Sequence, residues 1–152
     1  LIVVDIAPVD YHRNEDGVLQ GMLDMKLSVL ETRAEADQQL ALTVDSKPVR
    51  DFLLANLQRG TERGFNWRMN LPVIRDSFTE LAGWPETGNS YPGPVLFIKG
   101  ADSDYILPEH EPNILEAFPQ ASIENVSDAG HWVHSENPEE VFALIRNFLS
   151  AV

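Results

Sequence analysis

The residues best suited to chemistry in this sequence are acids and histidines that follow short apolar runs. The most specific segment is Asp128-Ala129-Gly130-His131-Trp132-Val133-His134. A glycine there lets the backbone turn tightly before an imidazole, and Trp132 and Val133 offer apolar walls. A histidine beside a carboxylate is the base-and-orienter pair of nucleophilic catalysis: the acid holds one tautomer and stabilises the imidazolium. His131 also reads, more plainly, as a loop residue bonded to backbone. Asp5 is informative because a carboxylate inside an apolar strand is costly unless paired. It either caps neighbouring amides or orients His131. Asp102 and Asp104 compete for that second role, although aspartate is also ordinary turn chemistry. Tyr11, His12, Trp67 and Trp132 are candidate walls of a substrate pocket, joined by Phe65, Met69 and Trp84. Core packing is the commoner use of such aromatic residues.

Several chemistries are excluded. The 152 residues contain no cysteine, so a disulfide framework, a thiolate metal site and a cysteine nucleophile are ruled out. His131 and His134 have metal-pair spacing, but no matching ligand set occurs elsewhere, so neither metal nor cofactor is expected. Eleven Lys+Arg against 24 Asp+Glu give a formal net charge of -13. That sign opposes nucleic acid and an anionic membrane surface. No apolar run approaches the roughly 18 residues of a membrane span, so no membrane insertion is expected. A hydrophobic content of 43% with 23% charged residues suits a globular fold. With no signal-peptide core in view, the expected location is cytoplasmic.

The elements that must position these residues follow from the apolar pattern. Residues 1–6 read as a strand buried on both faces, ended by Ala7-Pro8. A polar loop, 10–16, follows. Residues 17–83 read as helices with short breaks. Val18, Leu19, Met22, Leu23, Leu27 and Leu30 have helical spacing, and 31–41 is rich in helix formers. Ser46-Lys47-Pro48 and Asn70-Leu71-Pro72 look like helix starts, and Gly60 and Gly64 bracket a turn. A linker rich in proline and glycine spans 85–94. Val95 to Ile98 and Ala121 to Val126 are further strands, with a helix between them. Asn137-Pro138-Glu139-Glu140 opens a last helix through an Asn cap, proline at the first position and two early acids. Fully apolar strands separated by helices imply a parallel α/β sheet, whose ligands bind beyond the carboxyl ends of its strands. Asp5, Asp102, Asp104 and His131 all follow such ends.

A nucleophile is missing. No Gly-x-Ser-x-Gly elbow occurs, and no serine has glycine two residues away on both sides. The chain lacks an initiator Met and opens on Leu1-Ile2-Val3-Val4, so part of a longer protein is expected.

The sequence resembles the α/β-hydrolase superfamily, and in particular its small YbfF-type and abhydrolase-domain esterase branch. The matching stretches are Leu1 to Tyr11, Phe65 to Leu71, Pro94 to Gly100, Phe118 to Ala121 and Ala129 to Pro138. The resemblance implies a C-terminal half: residues 1–16 as strand six and its loop, 17–83 as a helical cap, and 84–152 as strands seven and eight with their helices. It implies that His131 is the base, and Asp5 the acid, with Asp102 and Asp104 as alternatives. Many members carry the acid three residues after the glycine that ends strand seven. Here that position is Ser103. The implied activity is serine hydrolysis of short acyl esters or thioesters, with the serine upstream of this chain and the fragment alone inactive. Two other readings stand beside it. One is a non-enzymatic assembly fragment that pairs with a companion chain, the missing N-terminal half or a second copy, through the strand edge at Leu1–Ile6. The other is a different reaction on the same fold, such as dehalogenation or carbon–carbon bond hydrolysis.

Overall fold

Val95 to Gly100 form β4, the central strand of a parallel sheet, and its sequence shows why. Alternate residues of a strand face opposite sides, and both sides of β4 are apolar. Leu96 and Ile98 pack with Val126, Ala129, Val133 and Val141, while Val95 and Phe97 pack with Ala7, Ile106 and Ile114. Fully burying such a side chain stabilises by roughly 1.5–3 kcal/mol. β4 pairs in parallel with β1 (Ile2–Val4) on one side and with β5 (Ala121–Val126) on the other. The computed structural model describes residues 1–11, 17–61, 63–85 and 88–151; most of the polar loop expected at 10–16, with His12, and part of the linker lie outside them.

The chain divides into two units, Leu1–Asp10 with Trp84–Val152, and Tyr11–Gly83. In the first, a single 3-10 turn at Pro108–His110 leads into α6 (Glu111–Ala117) between β4 and β5. After β5 come α7 (Val133–Glu136) and α8 (Pro138–Ala151). The Asn137 side chain accepts from the Glu140 N–H at 3.3 Å and donates to the Glu140 carboxylate at 2.9 Å, capping α8 reciprocally. Leu144, Ile145 and Phe148 then bring the apolar stripe of α8 against the sheet.

The first strand departs from expectation. Regular pairing covers only Ile2–Val4, and the strand is not buried on both faces: Leu1 is 54% exposed and Val4 38%. Among the described residues β1 pairs only with β4, so its outer flank is uncovered. The strand stops where Asp5 adopts a left-handed φ of 48°, which no regular strand continues.

The second unit is not helices alone, as the pattern predicts. It contains α1 (Gly17–Asp24), a 3-10 turn at Leu27–Val29, α2 (Arg33–Leu40), α3 (Lys47–Leu54), α4 (Leu71–Asp76) and α5 (Phe78–Leu81). Between α3 and α4 lies an antiparallel hairpin, β2 (Leu57–Arg59) with β3 (Phe65–Trp67). The residues at 60 and 64 are its turn: the Gly60 N–H donates to the Gly64 carbonyl at 3.1 Å. Gly64 has φ +69°, and a Cβ there would lie 2.2 Å from the Leu27 carbonyl oxygen. Three-residue strands with one buried position each leave too little alternation to register as β. The Arg33 guanidinium ties the hairpin to α3 by donating to the carbonyls of Leu54 and Leu57, both at 2.6 Å.

Candidate active site

The register of the sheet sets the ends of three strands side by side. Val4 pairs with Ile98, and Gly100 with Val126. The next residues continue the ladder: the Asp5 N–H donates to Ile98 O at 2.8 Å, Ala101 N–H to Val126 O at 2.9 Å and Asp102 N–H to Ala129 O at 2.9 Å. The loops after β1, β4 and β5 therefore leave from one rim, the place where open parallel sheets present ligand sites.

On that rim Asp5 is fully buried, at 0% exposure. Its left-handed backbone turns the side chain out of the strand's alternation. Oδ1 accepts the Gly100 N–H at 3.1 Å. Oδ2 accepts the Ser103 hydroxyl and lies 2.9 Å from Nδ1 of His131. The Ser103 oxygen in turn accepts the Tyr105 N–H at 3.3 Å, which leaves its hydroxyl proton for Asp5. An ionised Asp5 carboxylate only accepts, so beside it Nδ1 of His131 donates the proton of that bond. Nε2, on the opposite edge of the ring, is then the basic nitrogen. The imidazole is 43% exposed at its side chain, and the ring of Tyr105 stacks on it at 3.7 Å between centroids and 16° between planes.

The turn that delivers His131 is built differently from its sequence. The strained φ falls on Asp128, at 50°, and not on Gly130. A Cβ at Gly130 would meet only the Glu136 carboxylate, at 3.5 Å or more. The glycine the site needs is Gly100, where a Cβ would lie 2.2 Å from Gly130 O and 2.4 Å from Ala129 O. Its bareness lets β4 end directly under the loop that carries His131. The Glu136 carboxylate accepts the Gly130 N–H and fixes that loop to α7.

The other candidates are placed as follows. Asp102 and Asp104 are exposed on the loop after β4, and the Nδ1 bond of His131 goes to Asp5. Trp132 is half-buried, with its ring 6.1 Å from that of His134. Trp67 belongs to the second unit, where it packs on the core and its Nε1–H donates to Met22 O at 3.2 Å. Phe65 is buried in that core and Met69 packs against it. Tyr11 is half-buried at the start of the same unit. Trp84 lies edge-to-face on Phe118, 6.4 Å between centroids.

The sequence reading did not single out Ser103 for its contact with Asp5, nor Tyr105, Gly100 or Glu136. For Ser103 a signal existed: the resemblance to the superfamily implies an acid at its position. Among the described residues no group of three or more potential metal ligands forms, and no helix is long and apolar enough to cross a membrane.

Comparison with known proteins agrees with the fold. The chain is 35% identical over 151 residues to Esterase YbfF of Escherichia coli (strain K12), covering 99% of this chain and 57% of that protein. It is 35% identical over 156 residues to the sn-1-specific diacylglycerol lipase ABHD11 of Mus musculus, covering 99% and 50%. The solved structure of a marine microorganism esterase matches with a TM-score of 0.89 at 31% identity, over 97% of this chain and 59% of that one. E-2-(acetamidomethylene)succinate hydrolase, at 16% identity and a TM-score of 0.63, shares the fold. No family model matches. The chain spans about half the length of the curated relatives it matches.

Proposed function

We propose, from the premise that this chain belongs to the α/β-hydrolase superfamily as the C-terminal part of a YbfF-type esterase, that it supplies the base and the acid of a serine hydrolase acting on short acyl esters or thioesters. The observation that carries the proposal is the 2.9 Å contact between Nδ1 of His131 and the fully buried carboxylate of Asp5. In the complete protein a serine upstream of these residues attacks the acyl carbonyl. Nε2 of His131 takes the hydroxyl proton as the new C–O bond forms. The imidazolium then gives that proton to the departing alkoxide or thiolate as the old bond breaks. A water molecule repeats the sequence on the acyl-serine and releases the acid. Asp5 keeps the proton of the resting ring on Nδ1 and balances the imidazolium charge. Residues 17–83 serve as the cap, and residues 1–16 and 84–152 belong to the core.

Ester hydrolysis by the two named relatives supports this reading, and the fold alone would not, since it hosts other reactions. The test uses p-nitrophenyl acetate. The 152-residue chain alone gives no turnover above background, whereas the chain joined to its upstream sequence hydrolyses the ester and loses that activity in His131→Ala. Turnover by the 152-residue chain that is sensitive to His131→Ala overturns the claim of an upstream nucleophile. Full activity of the complete His131→Ala protein overturns the role of the base.

A second reading, an assembly fragment, draws on the uncovered flank of β1 and on the exposed apolar residues in and beside it, Leu1, Val4 and Ile6, at 54%, 38% and 42%. A strand edge of this kind invites pairing. Sedimentation of this chain as a stable folded monomer would sink it.

A further inference from the structure

A single hydrogen bond holds one edge of an imidazole but leaves the ring free to pivot about that bond. The terminal χ2 torsion of histidine is broad and supplies little restraint of its own. At His131 the bond to Asp5 fixes Nδ1 in this way, and the ring is otherwise 43% exposed. The ring plane therefore needs a second constraint if Nε2 is to meet a reacting group within the narrow tolerance that proton transfer demands. Tyr105 is placed to give it. Its ring lies on the face of the imidazole, 3.7 Å away and 16° from parallel.

Tyr105 is itself anchored through its backbone N–H. Its N–H donates to the Ser103 oxygen at 3.3 Å, and that hydroxyl donates onward to Asp5. Further along the same loop the Leu107 N–H donates to Nδ1 of His110 at 3.2 Å. One short loop thus touches the acid through Ser103 and the base through Tyr105. Buried Ile106, next in the chain, roots that loop in the core.

We infer that Tyr105 is a positioning residue for the reaction proposed above, a ring clamp that fixes the plane of His131 and faces the imidazolium with its π electrons. The inference rests on the esterase reading for its kinetic consequence, but the clamp itself is a property of this chain. When the ring takes a proton, its charge lies over an aromatic face and is favoured there. The stacked ring also keeps water off one side of the base, so the charge is less screened.

Two readouts separate the clamp from the activity. In carbon–proton spectra of this chain, the ring protons of His131 are expected upfield of an ordinary histidine and in cross-relaxation with the Tyr105 ring. The upfield position persists in Tyr105→Phe and is lost in Tyr105→Leu. Ordinary shifts without cross-relaxation in the unsubstituted chain overturn the clamp, and that measurement decides even if Tyr105→Leu does not fold. In the complete esterase, Tyr105→Leu lowers kcat by about 5- to 30-fold with KM little changed, the size expected of a cation over an aromatic ring. Tyr105→Phe recovers the lost rate. A Tyr105→Leu enzyme with undiminished kcat, or a loss that Tyr105→Phe fails to recover, overturns the positioning role. A complete protein with no esterase activity at all would instead overturn the functional reading, while the ring measurement still decides the clamp.

Discussion

Asp37 in the Tyr11–Gly83 unit and Asp5 in the sheet unit both have an ionisable partner, and the two partners differ in kind. Asp37 sits 2.8 Å from Nε of Arg50, whose guanidinium also donates to Val44 O and Asp45 O. Arginine never gives up its proton in a protein, so that pair is a permanent tie between α2 and the start of α3. Asp5 is more deeply buried, yet it faces an imidazole, a hydroxyl and a backbone N–H. Its one ionisable partner is a ring with two nitrogens, one held by Asp5 and the other on the opposite edge. The difference sets an acid tied to a fixed charge apart from an acid that, on the proposed function, orients a base.

The largest effect is expected of Asp5→Asn in the longer protein, on the esterase function proposed above. Asparagine keeps the shape but offers Nδ1 an amide that favours the wrong tautomer, so kcat falls by about 10³- to 10⁴-fold. Asp37→Asn leaves kcat unchanged and instead lowers the thermal midpoint of unfolding. Equal kinetic losses in the two variants would erase the distinction.

Gly100→Ala comes next. Its new methyl would press into the carbonyls of Gly130 and Ala129, at 2.2 and 2.4 Å, and overpacking of that kind costs roughly 1–3 kcal/mol. Gly130→Ala, with only a carboxylate 3.5 Å away, costs less than about 1 kcal/mol. Urea unfolding of the two variants checks the order.

Ser103→Ala removes one donor to a buried carboxylate. The expected loss of stability is about 1–2 kcal/mol, since hydrogen bonds to charged groups contribute somewhat more than neutral ones. Unfolding by urea measures it directly.

The smallest effect is on the pH dependence of the Tyr11–Gly83 unit. The Arg50 hydrogen bond holds the Asp37 carboxyl below its ordinary value of 3.8, and the Glu31 N–H, then the Thr32 hydroxyl, hold Glu35 below 4.5. Both folded values are depressed. Their stabilisation is therefore present above those ordinary values and fades as pH falls through the lower folded ones. Arg50→Met should flatten the acid limb of a stability–pH profile while leaving the neutral region's shape alone.

What the sequence revealed follows the range of the interactions. The apolar runs at 95–98 and 121–126 and the cap at Asn137 are local, and they appear in the fold where the pattern puts them. Acids and histidines behind apolar strands could be sorted to one rim by a general rule of parallel sheets. The rest depends on partners far along the chain. Ser103 reaches Asp5 across 98 positions and Asp5 reaches His131 across 126, so no window of sequence holds both members. The hairpin failed for the opposite reason. Its strands are so short that burial of Leu57 and Phe65 looks like one more helical spacing. The left-handed turns were invisible because aspartate, not glycine, makes them at 5 and 128.

The chemistry proposed for His131 requires its resting proton on Nδ1, donated to Asp5. Nitrogen-15 correlation spectra of the histidine ring in this chain read that tautomer directly, without any need for activity. In the neutral ring Nδ1 is expected to be the protonated nitrogen and Nε2 the bare one, with the balance shifted in Asp5→Asn and untouched in Asp102→Asn or Asp104→Asn. A neutral ring protonated on Nε2, or a tautomer that ignores Asp5 and responds to Asp102 or Asp104, would contradict it.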